Sequence, residues 1–335
     1  FAESVTLTSA NGLVFVGGDV SASGGLAKGG NIAITENGSS AFIVGAGATS
    51  STGGIVGNII ASGGGSSAGS IKIVNSTTAS GLTVDISKIQ LASTGIGGGG
   101  KFELTTTGAI SLNTGTLAVN STAGDGAITL TGSSLAVTGA GPLSLQSNGT
   151  VKGGAVKITL TGGGITFGTS GNAVQVSATG GTGEGGTLTV VASGAVSVNN
   201  AATTIALSGL TKAGTVDLKS TGAGITVDAA GLHTDGAAGD AKGGSIKLSG
   251  VGLFVGAGGL SADGIGLGSG GTVDLTSTSG TAFVIGSALG ANQGVAGVIS
   301  ARGGAGTAAT GTNGGIIIIA ANSASAVTMS NLNSI

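Results

Sequence analysis

The chain has 335 residues, 74 of them glycine, with one proline and no cysteine, tryptophan or tyrosine. Only 7% of residues are charged and the net charge is -2, so there is no electrostatic footprint for nucleic acid or an anionic membrane. Disulfides and structural thiolate metal sites are excluded, and no apolar run approaches the roughly 20 residues of a bilayer span.

Glycine follows no strict three-residue period and 40% of residues are hydrophobic, which separates the chain from collagen and from disordered chains. From the amino terminus onward one phrase recurs: small residues or glycines, then an apolar–polar–apolar triplet. The plainest copies are GGNIAI (29–34), GSIKI (69–73), GGTLTV (185–190), AGTVDL (213–218), GGSIKL (243–248) and GGTVDL (270–275). Anchored on the first apolar residue, the copies fall at Val5, Ile32, Ile71, Phe102, Ile128, Val156, Leu188, Val216, Ile246, Val273 and Ile316. The steps are 27, 39, 31, 26, 28, 32, 28, 30, 27 and 43 residues. Such self-similarity marks a repeat architecture.

One unit, 215–244, reads TVDLKS, GAGITVDAAG, LHTDGAAGDAKGG. It holds three short alternating runs bounded by turn residues, each a predicted strand. Helix periodicity is missing, and glycine recurs at about 1 kcal/mol per helical position. Three strands per unit predict an all-β, three-faced parallel β-helix, a single continuous solenoid over 1–335. It should have about ten to eleven rungs at ~4.8 Å spacing, a shaft of about 48 Å.

The middle residue of each first-strand triplet should point outward. Within that column Lys72 should lie over Glu103, and Asp217, Lys247 and Asp274 should alternate in sign. Opposite charges one rung apart favour this register over a slipped one. Five of the seven phenylalanines fall in the second strand: Phe15, Phe42, Phe167, Phe254 and Phe283. They are expected to form a ladder, most of them pointing inward.

GGNIAI, GSIKI, GGSIKL and GGTVDL, following ASGG-, SADG- or ARGG-like stretches, resemble the repeats of filamentous haemagglutinin-type bacterial exoproteins, the large adhesins of the two-partner secretion and autotransporter groups. The likeness runs through the whole chain and is compositional and periodic. It implies a right-handed parallel β-helix, an extracellular or bacterial cell-surface location, and adhesive or structural work.

Chemistry is sparse. Parallel β-helices also include polysaccharide lyases and hydrolases, which need clustered carboxylates in a groove. Here the tightest acidic grouping is Asp228, Asp235 and Asp240, with His233, the only histidine, among them. They read as solvated turn residues. A Ser-His-Asp constellation passes by inventory but has no nucleophile-elbow signal. GIGGGGK (95–101) has the glycine and lysine spacing of a phosphate-binding loop, yet Phe102 replaces the magnesium-binding hydroxyl and a strand follows instead of a helix. The stretch 258–271 is a loose single echo of a calcium-binding nonapeptide. Threonine pairs such as Thr129 with Thr131 would suit an ice-binding face but do not recur in every rung. Four Asn-x-Ser/Thr sequons, beginning at Asn37, Asn75, Asn120 and Asn148, matter only in a glycosylating compartment.

The two long steps place surface insertions near 45–58 and 288–315, read as a bulged corner or a partial extra coil. Neither end shows a capping segment. That predicts a slice of a longer solenoid or a subunit that stacks head to tail. The expected function is therefore a secreted, non-enzymatic structural or adhesive β-solenoid, forming a cell-surface shaft or an extracellular filament. No cofactor or metal is expected. Self-association end to end is the expected partnership, with cell-surface or glycan contacts beside it. A carbohydrate-active β-helix enzyme is the alternative and an ice- or surface-binding solenoid the minor one.

Overall fold

In a computed structural model, described here for residues 3–10, 12–25, 27–38, 40–76, 81–91, 97–124, 126–286, 288–306, 312–322 and 327–329, the chain is an all-β parallel solenoid of about nine turns, close to the expected rung number. Its first face is one eleven-stranded sheet in chain order, from Ser4–Ser9 to Ile316–Ala321. Every pairing in it is parallel, and the expected anchors meet each other in register: Val5 on Ile32, Ile71 on Phe102, Leu188 on Val216, Ile246 on Val273. The last anchor departs by one residue. Val273 pairs with Ile317, and Asp274 faces Ile318 rather than Ile317. IIIIAA has no polar alternation at its start, so nothing in the side chains distinguishes one register from its neighbour.

Each central first-face strand reads out–in–out–in–out–in. In Ser245–Gly250, Ile246 and Leu248 are buried while Lys247 is exposed. The inward aliphatics join those of the other faces in one cluster running from Val20 to Ile299. The sixth, inward position lies at a corner and is often polar. Ser220 Oγ donates to the Gly194 carbonyl (2.8 Å), and Asn75 Nδ2 donates to the carbonyls of Ser40 (3.3 Å) and Gly81 (3.2 Å). These side chains supply partners for backbone that has left the ladder.

The glycines that stand before every first-face strand after the first have a steric cause. At this corner consecutive turns come so close that a Cβ at Gly69 would lie 1.8 Å from the Gly30 carbonyl oxygen, and one at Gly271 would lie 1.9 Å from that of Gly244. No side chain fits there.

The second face is less regular, and the long steps explain it. After Phe42–Val44 the chain turns back and lays Gly54–Ile55 between Phe42–Val44 and the preceding coil's Phe15–Val16. After Phe283–Ile285 it does the same with Gln293–Val295, which enters between Phe283–Ile285 and Leu253–Val255. The two cases match residue for residue. Phe15 pairs with Gly54 and Phe254 with Gly294; Val44 pairs with Ile55 and Ile285 with Val295. The offsets are 239 (15 to 254), 241 (42 to 283) and 240 (54 to 294) residues. Both inserted strands are buried, so the regions 45–58 and 288–315 each contain an added strand of the wall rather than surface loop alone. Residues 307–311 of the second region lie outside the described residues.

The third face is built from Val20–Ser21, Ile59–Ile60 and Ile89–Gln90 near one end, and from Leu232–His233, Leu260–Ser261 and Ile299–Ser300 near the other. Between them the long strands Ile110–Ala118 and Leu135–Gln146 bend from the second face onto the third.

Candidate functional site

The outward column of the first face holds the expected charges. Lys72 Nζ lies 2.9 Å from Glu103 Oε1, both side chains well exposed. Asp217, Lys247 and Asp274 stack in register, without an ion-pair contact among the described residues.

The phenylalanines do not form one ladder. Phe42, Phe167 and Phe283 are fully buried, but Phe15 and Phe254 are 42% and 40% exposed and point outward. The reason is parity. A three-residue second-face strand reads in–out–in, and Phe254 is the middle residue of Leu253–Val255, whereas Phe42 and Phe283 come first in theirs. Each outward ring is paired with a glycine of the next strand, Gly54 or Gly294, whose φ is 122° or 132° and where a Cβ would lie 1.9 Å from the Ile43 carbonyl oxygen or 2.0 Å from that of Val284, so no side chain fits. Phe102, an anchor of the first face, is a fourth buried ring.

Several of the scattered carboxylates and amides share a task that the sequence conceals. Asp19 Oδ1 accepts from the Asn58 amide of the next turn (2.7 Å), Asn120 Oδ1 from Asn148 (2.7 Å), Asp235 Oδ1 from Asp263 (2.7 Å) and Asp240 Oδ1 from Leu267 (2.8 Å). Asp228 Oδ2 reaches the other way, to the Asn200 amide (2.7 Å). Each is a staple between coils. Asp228, Asp235 and Asp240 therefore serve three different neighbouring segments and do not converge on one point. At Asp85 the Ser87 hydroxyl, then the Ser87 amide and Asn113, hold the carboxyl below its ordinary value against the opposing effect of burial, with Lys88 adding a smaller pull.

The richest polar constellation lies on the third face, around a solvent-open cavity of about 580 Å³. Parallel pairing stacks His233, Ser261 and Ser300 in one outward column. Two residues on, Asp235, Asp263 and Arg302 form the next. Ser261 Oγ donates to Asp235 Oδ2 (2.7 Å) and lies 2.7 Å from His233 Nδ1, while His233 Nε2 faces the Ala230 carbonyl (3.1 Å). The Ser261 proton is directed at the carboxylate, and the tautomer of His233 sets which ring nitrogen donates. Ser261 thus bridges the imidazole and Asp235, where a nucleophilic serine would give its proton to a free ring nitrogen. Ser300 Oγ donates to Asp263 Oδ1 (2.5 Å), the Arg302 amide donates to the same oxygen (2.6 Å), and the Arg302 guanidinium lies 3.0 Å from Oδ2. Burial pushes the Asp263 carboxyl up, but the hydrogen bonds from Ser300 and Arg302, with the Arg302 charge, outweigh it and hold the carboxyl below its ordinary value.

Among the described residues no group of three or more His, Cys, Asp and Glu side chains is placed to hold a metal, and no helix is long and apolar enough to cross a membrane. Lys101 and Phe102, at the end of the phosphate-loop-like stretch, begin the strand Lys101–Thr106; residues 92–96, which include the start of that stretch, lie outside the described residues. No family model matches the chain, and neither the curated proteins nor the solved structures compared with it match.

Proposed function

We propose that this chain is a secreted structural and adhesive solenoid of the filamentous haemagglutinin type, building a shaft or filament outside a bacterial cell without catalysis. The observation that carries the reading is the unbroken parallel register of the eleven-stranded first face over one continuous aliphatic core. Such a wall gives length and stiffness by adding coils, each contacting its neighbours alone. Use of the acids as staples between coils supports the same reading. A second copy can extend the shaft by pairing along the backbone ladder that already joins one coil to the next.

Negative-stain imaging with light scattering of the purified chain tests this. Rods or end-to-end filaments are expected, and a compact globular particle would overturn the reading. A carbohydrate-active enzyme draws its one support from the His233–Ser261–Asp235 network beside the third-face cavity. Polysaccharide cleavage that is lost in Asp235→Asn would establish it instead.

A further inference from the structure

The ladder of the second face is interrupted at one place. Residues 135–138, the first part of Leu135–Gln146, pair on one side with Ile110–Ala118. The next coil contributes Ile165–Phe167, which pairs on its far side with Val196–Val198. Among the described residues no pairing or backbone hydrogen bond joins 135–138 to 164–166. A hollow of about 360 Å³ lies there, walled by Leu135, Val137, Gly164, Ile165 and Thr166, with Val174 beside them.

Both banks of the hollow present unused backbone. The Ile165 amide donates to the Ala195 carbonyl (2.9 Å) and the Phe167 carbonyl accepts from Asn199 (2.9 Å). Alternation then turns the N–H and C=O of Thr166 towards the hollow. Opposite, the Ser134 carbonyl accepts from Ile110 (2.8 Å), which turns the groups of Leu135 and Val137 the same way. Two open strand edges thus face each other, and an open edge is a template for pairing.

The solenoid meets this geometry twice elsewhere and fills it. The three coils concerned begin with Ser4–Ser9, Ala127–Gly132 and Ser245–Gly250, which lie four strands apart in the first-face sheet. At the first site Gly54–Ile55 is bonded on both sides: the Gly54 amide donates to Val14 (2.7 Å) and the Gly45 amide to Ile55 (2.8 Å). At the last, the Ala296 amide donates to Val255 (2.8 Å) and the Gly286 amide to Val295 (2.9 Å). At the middle site the chain begins the same return. Phe167 pairs with Val174 as Val44 does with Ile55, and the Gly168 amide donates to the Val174 carbonyl (3.2 Å). Asn172, however, is left-handed (φ 63°), and Val174–Ser177 runs along Leu143–Gln146 rather than along 135–138. The returning segment bypasses the slot.

The filled sites specify what fits. Each carries glycine in the outward register, where a Cβ would meet a carbonyl oxygen at 1.9 or 2.0 Å, followed by a fully buried Ile55 or Val295. The residues flanking the middle slot on the inward side, Val137, Ile165 and Val174, are buried and apolar, and no charged residue lines it. We propose that this slot receives an extended, uncharged peptide segment of a partner protein, carrying Gly-Val or Gly-Ile, as an added parallel strand. Such a clip would fasten a second protein to the side of the solenoid, a task that building a shaft does not require.

The test is fluorescence anisotropy of the full chain with a labelled peptide of residues 291–297 (ANQGVAG), with amide exchange read on the same samples. In the free chain the amides of Val137 and Thr166 should exchange fast. The peptide should slow them at least tenfold and leave Thr226, paired on both sides, unchanged. Peptides with Gly294→Pro or Val295→Asp should bind at least tenfold more weakly, since proline removes a ladder donor and aspartate sets a charge against the apolar wall. In the chain itself, Thr166→Pro puts a ring into the slot at a position whose amide has no partner, so this variant should keep the parent's circular dichroism and lose the peptide. If it does not fold, the Gly294→Pro peptide against the parent chain decides. Protected Val137 and Thr166 amides in the free chain, no saturable binding, or equal binding of the proline peptide would overturn the slot. Protection that rises with protein concentration alone would give the slot to a second copy and overturn the partner peptide. Rods that bind no peptide overturn the slot and spare the shaft.

Discussion

Replacing Gly271 by alanine should open the solenoid at one corner, and the structure sets the size of the effect. The added methyl carbon would stand 1.9 Å from the Gly244 carbonyl oxygen, against a working minimum of 3.0 Å, so the two turns must part by at least 1.1 Å (3.0 minus 1.9). That carbonyl accepts the Thr272 amide at 3.0 Å, and a displacement of this size takes the pair beyond bonding distance. Leaving such a buried pair unmade costs about 1–3 kcal/mol. With the packing lost beside it, a local destabilisation of about 2–4 kcal/mol is expected. Gly280→Ala is the matched control. A Cβ there meets nothing within 4 Å, so the variant should be neutral, or more stable by at most about 1 kcal/mol. Solenoids do not unfold as one unit, so the readout is amide hydrogen exchange at Thr272 and Ile316 rather than a single melting midpoint. At least tenfold faster exchange is expected in Gly271→Ala alone. Equal protection in both variants would refute the steric account of the glycine corner.

Phe283→Ala should cost about 3–5 kcal/mol, as expected for a fully buried ring, and Phe254→Ala far less, measured by urea unfolding followed through the neighbouring amides. Glu103→Gln should change stability by at most ~1 kcal/mol, with the difference vanishing in high salt, because the Lys72 partner is exposed. Acidification should loosen the third face around Asp263. Its folded carboxyl titrates below the ordinary value, so its contribution is complete above about pH 4 and is lost as pH falls through the lower, folded value. Exchange at the Arg302 amide should accelerate over that window in the parent chain and show no such step in Asp263→Asn.

The first face was legible because its code is redundant. At least one glycine, forced by close approach, stands directly before every first-face strand after the first, and an inward–outward alternation follows it, so Leu188, Val216, Ile246 and Val273 could be placed on one another from spacing alone. Where the redundancy fails, the reading slips: Ile316 to Ile319 are identical, and parity cannot be recovered from them. At Phe254 and Phe15 size and parity disagree: a large ring suggests a core position, but the alternation of Leu-Phe-Val and Val-Phe-Val puts these two rings on the outside. The inserted strands Gly54–Ile55 and Gln293–Val295 are too short to carry periodicity. The signal that could have found them is the roughly 240-residue offset between the two copies, visible in Phe42 and Phe283. The His233–Ser261–Asp235 network was invisible because parallel stacking joins residues 26 and 28 positions apart that share no local pattern.

The division of labour along each first-face strand has an evolutionary corollary. Residues such as Ile246 and Leu248, with the glycines ahead of them, hold the pitch, while outward neighbours such as Lys247 meet only solvent and the coils above and below. Exterior letters can therefore be rewritten one at a time without disturbing how the thread winds. A lineage could exchange the coat of such a solenoid while keeping its skeleton.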